Sequence, residues 1–508
     1  MRTLALVLLF MAVPLAGGEL KPVQEADFWQ GTGLNRILAL KIINNQNCTS
    51  SEFHFQACRR ALIDGSYLTG LQREKRFRVL SHLKFQRQFD FESYLTSILA
   101  AETRLPKEMV IGKTISGYMR ALDPYAKMMP ATFVELLLNG QSKTYYGLGI
   151  ETMESAAGLI VFQVYPNSPA SKAGLKIHDR IVSINGITAR DEFEAHALGQ
   201  MLSAKAGDKF ILEVESGGTR SQLQLAVAAL DIPENNGEVF SESGKNIAYY
   251  RMRSFAVNSC LNLQRGIETW QNQLNGQLNG LILDLRHNSG GLLEEGKCIA
   301  QLFVGDRSIV TREPLQLEFP QALKIEKFNS VDTNDFFARR TVFKNVPLVV
   351  LIDERSASAS EIVAGALQDY KAAWIVGERS YGKGTTQLIH RLEDFPQLRV
   401  LKTVSRYLRP SGVSTQSAGV TPNFIVPFRK NANLRERRFV REENVARSVR
   451  LQTEPVWRET RPADKTLIER CLSRRKSVAE ADHQLEVGVQ IFSCLPEIDQ
   501  RPESSAVE

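Results

Sequence analysis

Residues 347–387 read PLVVLIDERSASASEIVAGALQDYKAAWIVGERSYGKGTTQ. The short β-rich apolar run at 347–352 predicts a buried strand, and the polar residues 353–355 a turn. The small-residue stretch from Ser356 to Ser360 enters a helix that runs to about residue 369. A second apolar run, 372–376, predicts the next strand, which ends at Gly377 and leads to Gly382, Lys383 and Gly384. A strand that delivers a serine at a tight turn onto a helix N-terminus suits a nucleophile, because the turn exposes the hydroxyl and the free N–H groups of the helix favour negative charge. The same residues admit a purely structural reading. Ser358 and Glu361 have the spacing of a capping box. Residues 377–384 also imitate a phosphate-binding loop, but Gly384 stands where the magnesium-ligating Ser or Thr would be.

The pattern repeats upstream. Strands are expected at 247–252 and 280–285 and helices at 255–275 and 292–303, with a polar glycine turn, Arg286-His-Asn-Ser-Gly-Gly291, between the second strand and its helix. Further strands are expected at 399–404 and 424–426. Strand, polar turn and helix, twice over, imply parallel strands with ligand chemistry at their carboxyl ends. Residues 145–228 differ, with short strands separated by glycine turns and a helix at 193–202. Residues 19–140 show helical spacing of apolar residues, notably between 71 and 101. Residues 429–450 read as a basic solvated linker, 467–495 as a helical end piece, and 501–508 as a disordered tail.

At 508 residues, with 43% hydrophobic and 23% charged residues, the chain predicts a globular protein of several domains. A net charge of +7 spread over this length is a mild bias and argues little for nucleic acid. Arg2, the apolar residues 4–14 and the small residues 16–18 have the form of a signal peptide ending near residue 18. The six cysteines suit the oxidising compartment that export implies. They fall into neighbouring pairs, so the bonds expected are Cys48–Cys58, Cys260–Cys298 and Cys471–Cys494. No cysteine or histidine cluster has metal-ligand spacing, and neither metal nor cofactor is expected.

Two resemblances extend this reading. The G-L-G-I of Gly147, Leu148, Gly149 and Ile150, the later S-P-A and A-G-L, and D-R-I-V-S-I-N-G together resemble a PDZ domain. That likeness implies backbone N–H groups at 148–150 holding a terminal carboxylate, with the next strand taking up the peptide. Across roughly residues 122–428, the segments G-L-I-L-D-L-R-H-N-S-G-G, P-L-V-V-L-I-D, S-A-S-A-S-E-I-V-A-G, G-E-R-S-Y-G-K-G-T-T-Q and R-Y-L-R-P-S-G occur in order. They resemble the carboxy-terminal processing (tail-specific) peptidases, exported serine–lysine proteases that carry a PDZ domain. One departure is visible, since the usual N-N-P-G-G reads His287-Asn-Ser289-Gly-Gly.

The resemblance implies Ser358 as nucleophile, Lys383 as general base and Gln387 as its support. Burial lowers a lysine pKa, which a base needs. The oxyanion donors implied are the N–H of Ala359 and one from Gly290 or Gly291. His287 and His390 have no place in that mechanism.

The fold class expected is multidomain α/β and α+β. It comprises a signal peptide (1–18), a helical N-terminal region (19–140), a PDZ domain (145–228), an α/β serine-protease core (229–428) flanked by N-terminal elements, and a basic linker with a helical C-terminal extension (429–508). The function expected is an exported endopeptidase of the periplasm or cell envelope that cleaves proteins near their C-termini. Partners are substrates bound by those termini, with an adaptor or a homo-oligomer left open and no nucleic acid. An exported PDZ scaffold with an inactive protease fold is the main rival, and a nucleotide-binding enzyme the second.

Overall fold

The computed structural model describes residues 10–14, 20–22, 28–67, 80, 82–101, 106–134, 144–155, 158–176, 179–188, 206–231, 235–320, 322–327, 343–427, 441–444, 458–459, 461–475 and 482–495. Residues 10–14, read as part of a leader, form strand β1 (Phe10–Pro14), which pairs with β2 (Leu20–Pro22). Helices α1 (Arg36–Ile42), α2 (Asn45–Ser50), α3 (Glu52–Tyr67), α4 (Phe91–Ala101) and α5 (Lys107–Leu122) pack around Trp29, Phe55, Leu62, Phe91 and Ile115. The expected helical stretch 71–101 is helical mainly in its last third. Residues 83–86 are irregular, and 71–79 lie outside the described residues. Packing overrides propensity there, because Phe85 and Phe89 meet the Phe55 ring edge-on at 5.6 and 5.1 Å.

Strand β3 (Lys127–Pro130) closes the helical module, and β4 (Thr144–Gly147) opens the next unit, pairing with β1. Strands β5 (Ile150–Ser155), β6 (Gly158–Val164), β7 (Arg180–Ile184), β8 (Ile187–Thr188), β9 (Lys209–Ser216) and β10 (Thr219–Ala226) form a sheet ordered β10-β9-β7-β6-β5, with β8 paired to β7. The short helix α6 (Pro169–Lys172) is capped by the Ser168 side chain. The expected helix 193–202 lies outside the described residues. Strand β11 (Ala228–Asp231) returns to pair with β4.

Strands β12 (Asn235–Glu242), β13 (Lys245–Met252), β14 (Gly280–Asp284), β17 (Leu348–Ile352), β18 (Trp374–Gly377) and β21 (Phe424–Ile425) form a sheet in that order, parallel from β13 onward. β17 is buried along its length because both of its faces are covered. Leu348, Val350 and Ile352 face α7 (Ser259–Gln273), α8 (Leu293–Val304) and α9 (Ala359–Asp369). Val349 and Leu351 face α10 (Pro462–Ser473) and α11 (His483–Cys494). The C-terminal helices therefore form the second layer of the protease core and are not an appended end piece. Arg286 locks them down from within: its guanidinium donates to Asp284 at 2.6 Å and to Asp482, just before α11, at 2.7 Å.

A second, antiparallel sheet holds β15 (Thr311–Pro314), β20 (Phe395–Leu408), β19 (Thr385–Leu392) and β16 (Ile325–Lys327). β3 joins it through β20, and Leu392, Leu398 and Val400 enter the core of the helical module.

The three disulfides join Cys48–Cys58, Cys260–Cys298 and Cys471–Cys494, the neighbouring pairs expected. The second clamps α7 to α8 and the third α10 to α11. Peptide mapping of the purified protein without reductant is expected to recover these three linked pairs. Six alkylatable thiols would contradict them.

Candidate active site

Ser358 sits where β17 turns into α9, with φ 56° and ψ −114°. A non-glycine residue holds such a conformation only when its surroundings impose it, and strain of this kind gathers at functional sites. Two neighbours impose it here. The Asn288 carbonyl accepts from Ala357 N at 3.0 Å and from Ser360 Oγ at 2.7 Å, tying the serine turn to the glycine turn after β14. Gly290, at φ +105°, lies so close that a Cβ there would stand 2.7 Å from the Ser358 Cβ and 3.0 Å from Ala359 N. Only glycine lets the two turns meet.

The capping-box reading of Ser358 and Glu361 is half realised. Ser358 N donates to Glu361 Oε2 at 2.9 Å, whereas the serine side chain makes no cap bond and is left for other work. Glu361 is fully buried. The same Oε2 accepts from Lys383 N at 2.8 Å, and Oε1 accepts from Gly382 N at 2.7 Å and Ser380 Oγ at 2.5 Å. One carboxylate thus joins the backbones of Ser358 and Lys383. On the other side, the Tyr407 hydroxyl donates to the Ser358 and Lys383 carbonyls. Capping and catalysis are therefore not rival readings, since the cap residue builds the site. Burial pushes the Glu361 carboxyl up to about 7, against four hydrogen bonds that favour its charged form.

The resemblance of 377–384 to a phosphate loop has a physical basis. Backbone N–H groups of Gly382 and Lys383 do converge on an anion, but the anion is the Glu361 side chain. Those donors are not available to a nucleotide.

Lys383 is half-buried, and its Nζ lies 5.7 Å from the centre of the Tyr125 ring. Burial lowers its pKa, while the charges of Glu442, Glu361 and Asp123 act in the opposite sense. Gln387, expected beside the lysine, donates its amide to Thr385 Oγ1 at 3.0 Å and Thr403 Oγ1 at 3.4 Å. No bond between Gln387 and the lysine amine occurs among the described residues. The link is indirect, because Thr403 also donates to the buried Asp123 at 2.9 Å. Gly290 N–H donates to Asn288 Oδ1 at 2.8 Å. His287 Nδ1 lies 2.6 Å from Asp353 Oδ2, and His390 sits along β19.

In the PDZ-like unit Gly149 has φ +80°, and a Cβ there would stand 2.0 Å from that of Ser168. Leu148 and Ile150 are buried, and β5 is the edge strand of its sheet.

Comparison with known proteins agrees with this architecture. The profile of peptidase family S41 matches residues 246–426, and that of the PDZ domain residues 147–227. The carboxy-terminal-processing protease of Bartonella bacilliformis is 32% identical over 321 residues, covering 63% of this chain and 70% of that protein. This chain belongs to the carboxy-terminal-processing proteases of peptidase family S41. A second such protease, from a Picosynechococcus species, is 32% identical over 61% of this chain and 72% of its own length. Carboxy-terminal processing protease CtpB of Bacillus subtilis is 26% identical, and the chain spans 64% of its length. This S41 protease is a serine-type peptidase that joins a PDZ domain to a mixed α/β protease core. Among its described residues no helix is long and apolar enough to cross a membrane.

Sequence reasoning missed two parts of the site. One is the reach of Glu361, which the S-x-x-E spacing signalled only as a cap. The other is Glu442, which lies in a stretch read as solvated linker. It is buried, accepts from Gln416 Nε2 at 2.9 Å and is bonded by the Tyr125 hydroxyl.

Proposed function

We propose that this protease is an exported endopeptidase that cleaves protein substrates near their C-termini, with Ser358 as nucleophile and Lys383 as general base. The observation that carries the reading is the shared Glu361 carboxylate, which joins the strained serine turn to the lysine loop. A neutral Lys383 amine takes the Ser358 proton as Oγ attacks the scissile carbonyl, and returns it to the leaving amine. The N–H of Ala359 opens α9 and serves the developing oxyanion. With Gly290 N–H engaged by Asn288, Gly291 is the better second donor. Gln387 supports the site through Thr403 and Asp123. Three disulfides favour an exported location.

The PDZ domain takes the substrate tail, with the loop at Gly147, Leu148, Gly149 and Ile150 holding its carboxylate and β5 pairing with the peptide. It also restrains the protease core until a tail is bound. A contact between the two units supports this, since the Arg253 guanidinium, just past β13, stacks 4.7 Å over the Tyr165 ring beyond β6. Deleting residues 147–227, with folding verified by circular dichroism, is expected to speed cleavage of a short untailed peptide and weaken cleavage of tailed proteins. An unchanged or lower rate on the short peptide would contradict the restraint.

A further inference from the structure

Segment 441–444, which lies beyond the protease sheets in sequence, is latched onto the loop that carries Lys383. Arg441 Nη1 donates to the carbonyls of Arg379 and Ser380 at 2.6 and 2.7 Å. Glu443 pairs with Arg379 at 2.7 Å, and Glu442 N donates to the Tyr381 carbonyl at 3.3 Å. These three bonding residues are consecutive, so the segment follows the loop along its length.

Between its two neighbours, Glu442 turns inward and is 1% exposed. Its Oε1 accepts from the Tyr125 hydroxyl and from Gln416 Nε2 at 2.9 Å. Gln416 Nε2 also donates to Tyr125 Oη at 3.0 Å, and Gln416 Oε1 accepts from Gly384 N at 2.8 Å. Glu442, Tyr125 and Gln416 thus form a closed triangle. One corner holds the residue after the lysine, and another presents the aromatic face 5.7 Å from the lysine amine.

We infer that Glu442 is a positioning residue for the base: it fixes the Tyr125 ring and the Gln416 amide around Lys383 and sets a third buried carboxylate in the lysine's surroundings. This rests on Lys383 being the base. The charged groups acting on the amine are Glu442 from this segment, Glu361 from α9 and Asp123 from the end of α5, and Glu442 is the strongest of the three. Around Glu442 itself stand the phenols of Tyr125 and Tyr381 and the Lys383 amine. A negative charge near an ammonium favours the ammonium. Removing that charge therefore makes the neutral, active amine available at lower pH.

The test is the pH profile of kcat/KM for Glu442→Gln, which keeps the accepting Oε1 and loses the charge. The acid limb is expected to move down by about one pH unit. Glu442→Ala, which also removes the acceptor, is expected to lower kcat by about tenfold with KM unchanged, and the Gln variant to recover most of it. A carbon-13 NMR titration of labelled lysine side chains, with the Lys383 signal identified by its loss in Lys383→Ala, reads the amine directly and should show the same downward shift. A limb and a lysine titration that stay in place in Glu442→Gln would overturn the inference, whatever the loss of activity, because a merely structural residue lowers rates without moving either. Should Lys383→Ala remain active, the serine–lysine reading itself falls. If Lys383→Ala is inactive and Glu442→Gln titrates like the parent, only the role of Glu442 falls.

Discussion

Ser358→Ala and Lys383→Ala are each expected to reduce peptide turnover by roughly 10⁴- to 10⁶-fold, with near-native circular dichroism. The serine hydroxyl makes no cap bond, so its removal leaves α9 capped by Glu361 through the Ser358 backbone. The lysine amine is likewise separate from the backbone N–H that Glu361 holds, and truncating the side chain spares that anchor. With the two side chains acting on one proton, as proposed, the double variant should be no slower than either single one, whereas independent contributions would multiply. Steady-state assay of the three variants decides the matter. Substantial turnover by either single variant would remove that residue from the mechanism.

The next largest effect is expected at Glu361, and it falls on stability as much as on rate. Glu361→Ala strips the fully buried acceptor from three backbone N–H groups and the Ser380 hydroxyl, two of these donors buried and two partly buried. Each donor left without an acceptor costs about 1–3 kcal/mol. The sum exceeds the ~1 kcal/mol of an ordinary substitution several-fold even after relaxation. The Lys383 loop would also come free of the serine turn, so turnover should fall together with the melting temperature.

The charge state adds a signature. Burial raises the Glu361 carboxyl from 4.5 to about 7 in the folded protein. Between those values the native state binds a proton that the unfolded chain has released. The stabilisation from that proton is therefore full below about pH 4.5 and lost as pH rises to about 7. Compared with Glu361→Gln, which does not titrate, the parent protein should hold its largest stability advantage near the acid end of that window and a smaller one above it. Urea unfolding of both proteins at the two ends measures this, and an advantage that grows with pH would contradict it.

The parts of the fold that were legible in sequence are those with local signals. The apolar run at 347–352 and the glycine turn at 286–291 announce strands and their polar ends through composition alone. The resulting parallel order, with Ser358 and Asn288 at the carboxyl ends of adjacent strands, follows from repetition of one motif. Cysteine neighbours in sequence are neighbours in space because each pair joins two adjacent helices of one layer. What stayed hidden depends on contacts between distant segments. Residues 467–495 carry ordinary helical periodicity, which does not reveal that they cover the far face of β17. Glu442 sits among charges and looks solvated, yet it is buried because Tyr125 and Gln416 come to it from other modules. For Gln387 the local environment decides: two threonines beside it on β19 and β20 take its amide.

Active-site labelling with a fluorophosphonate, followed by peptide mapping, tests the central claim most directly. The account predicts a single adduct on Ser358, formed by the parent protein at a rate that rises with pH as the Lys383 amine loses its proton, and abolished in Lys383→Ala. An adduct on another serine, or labelling of Ser358 that proceeds undiminished in Lys383→Ala, would contradict it.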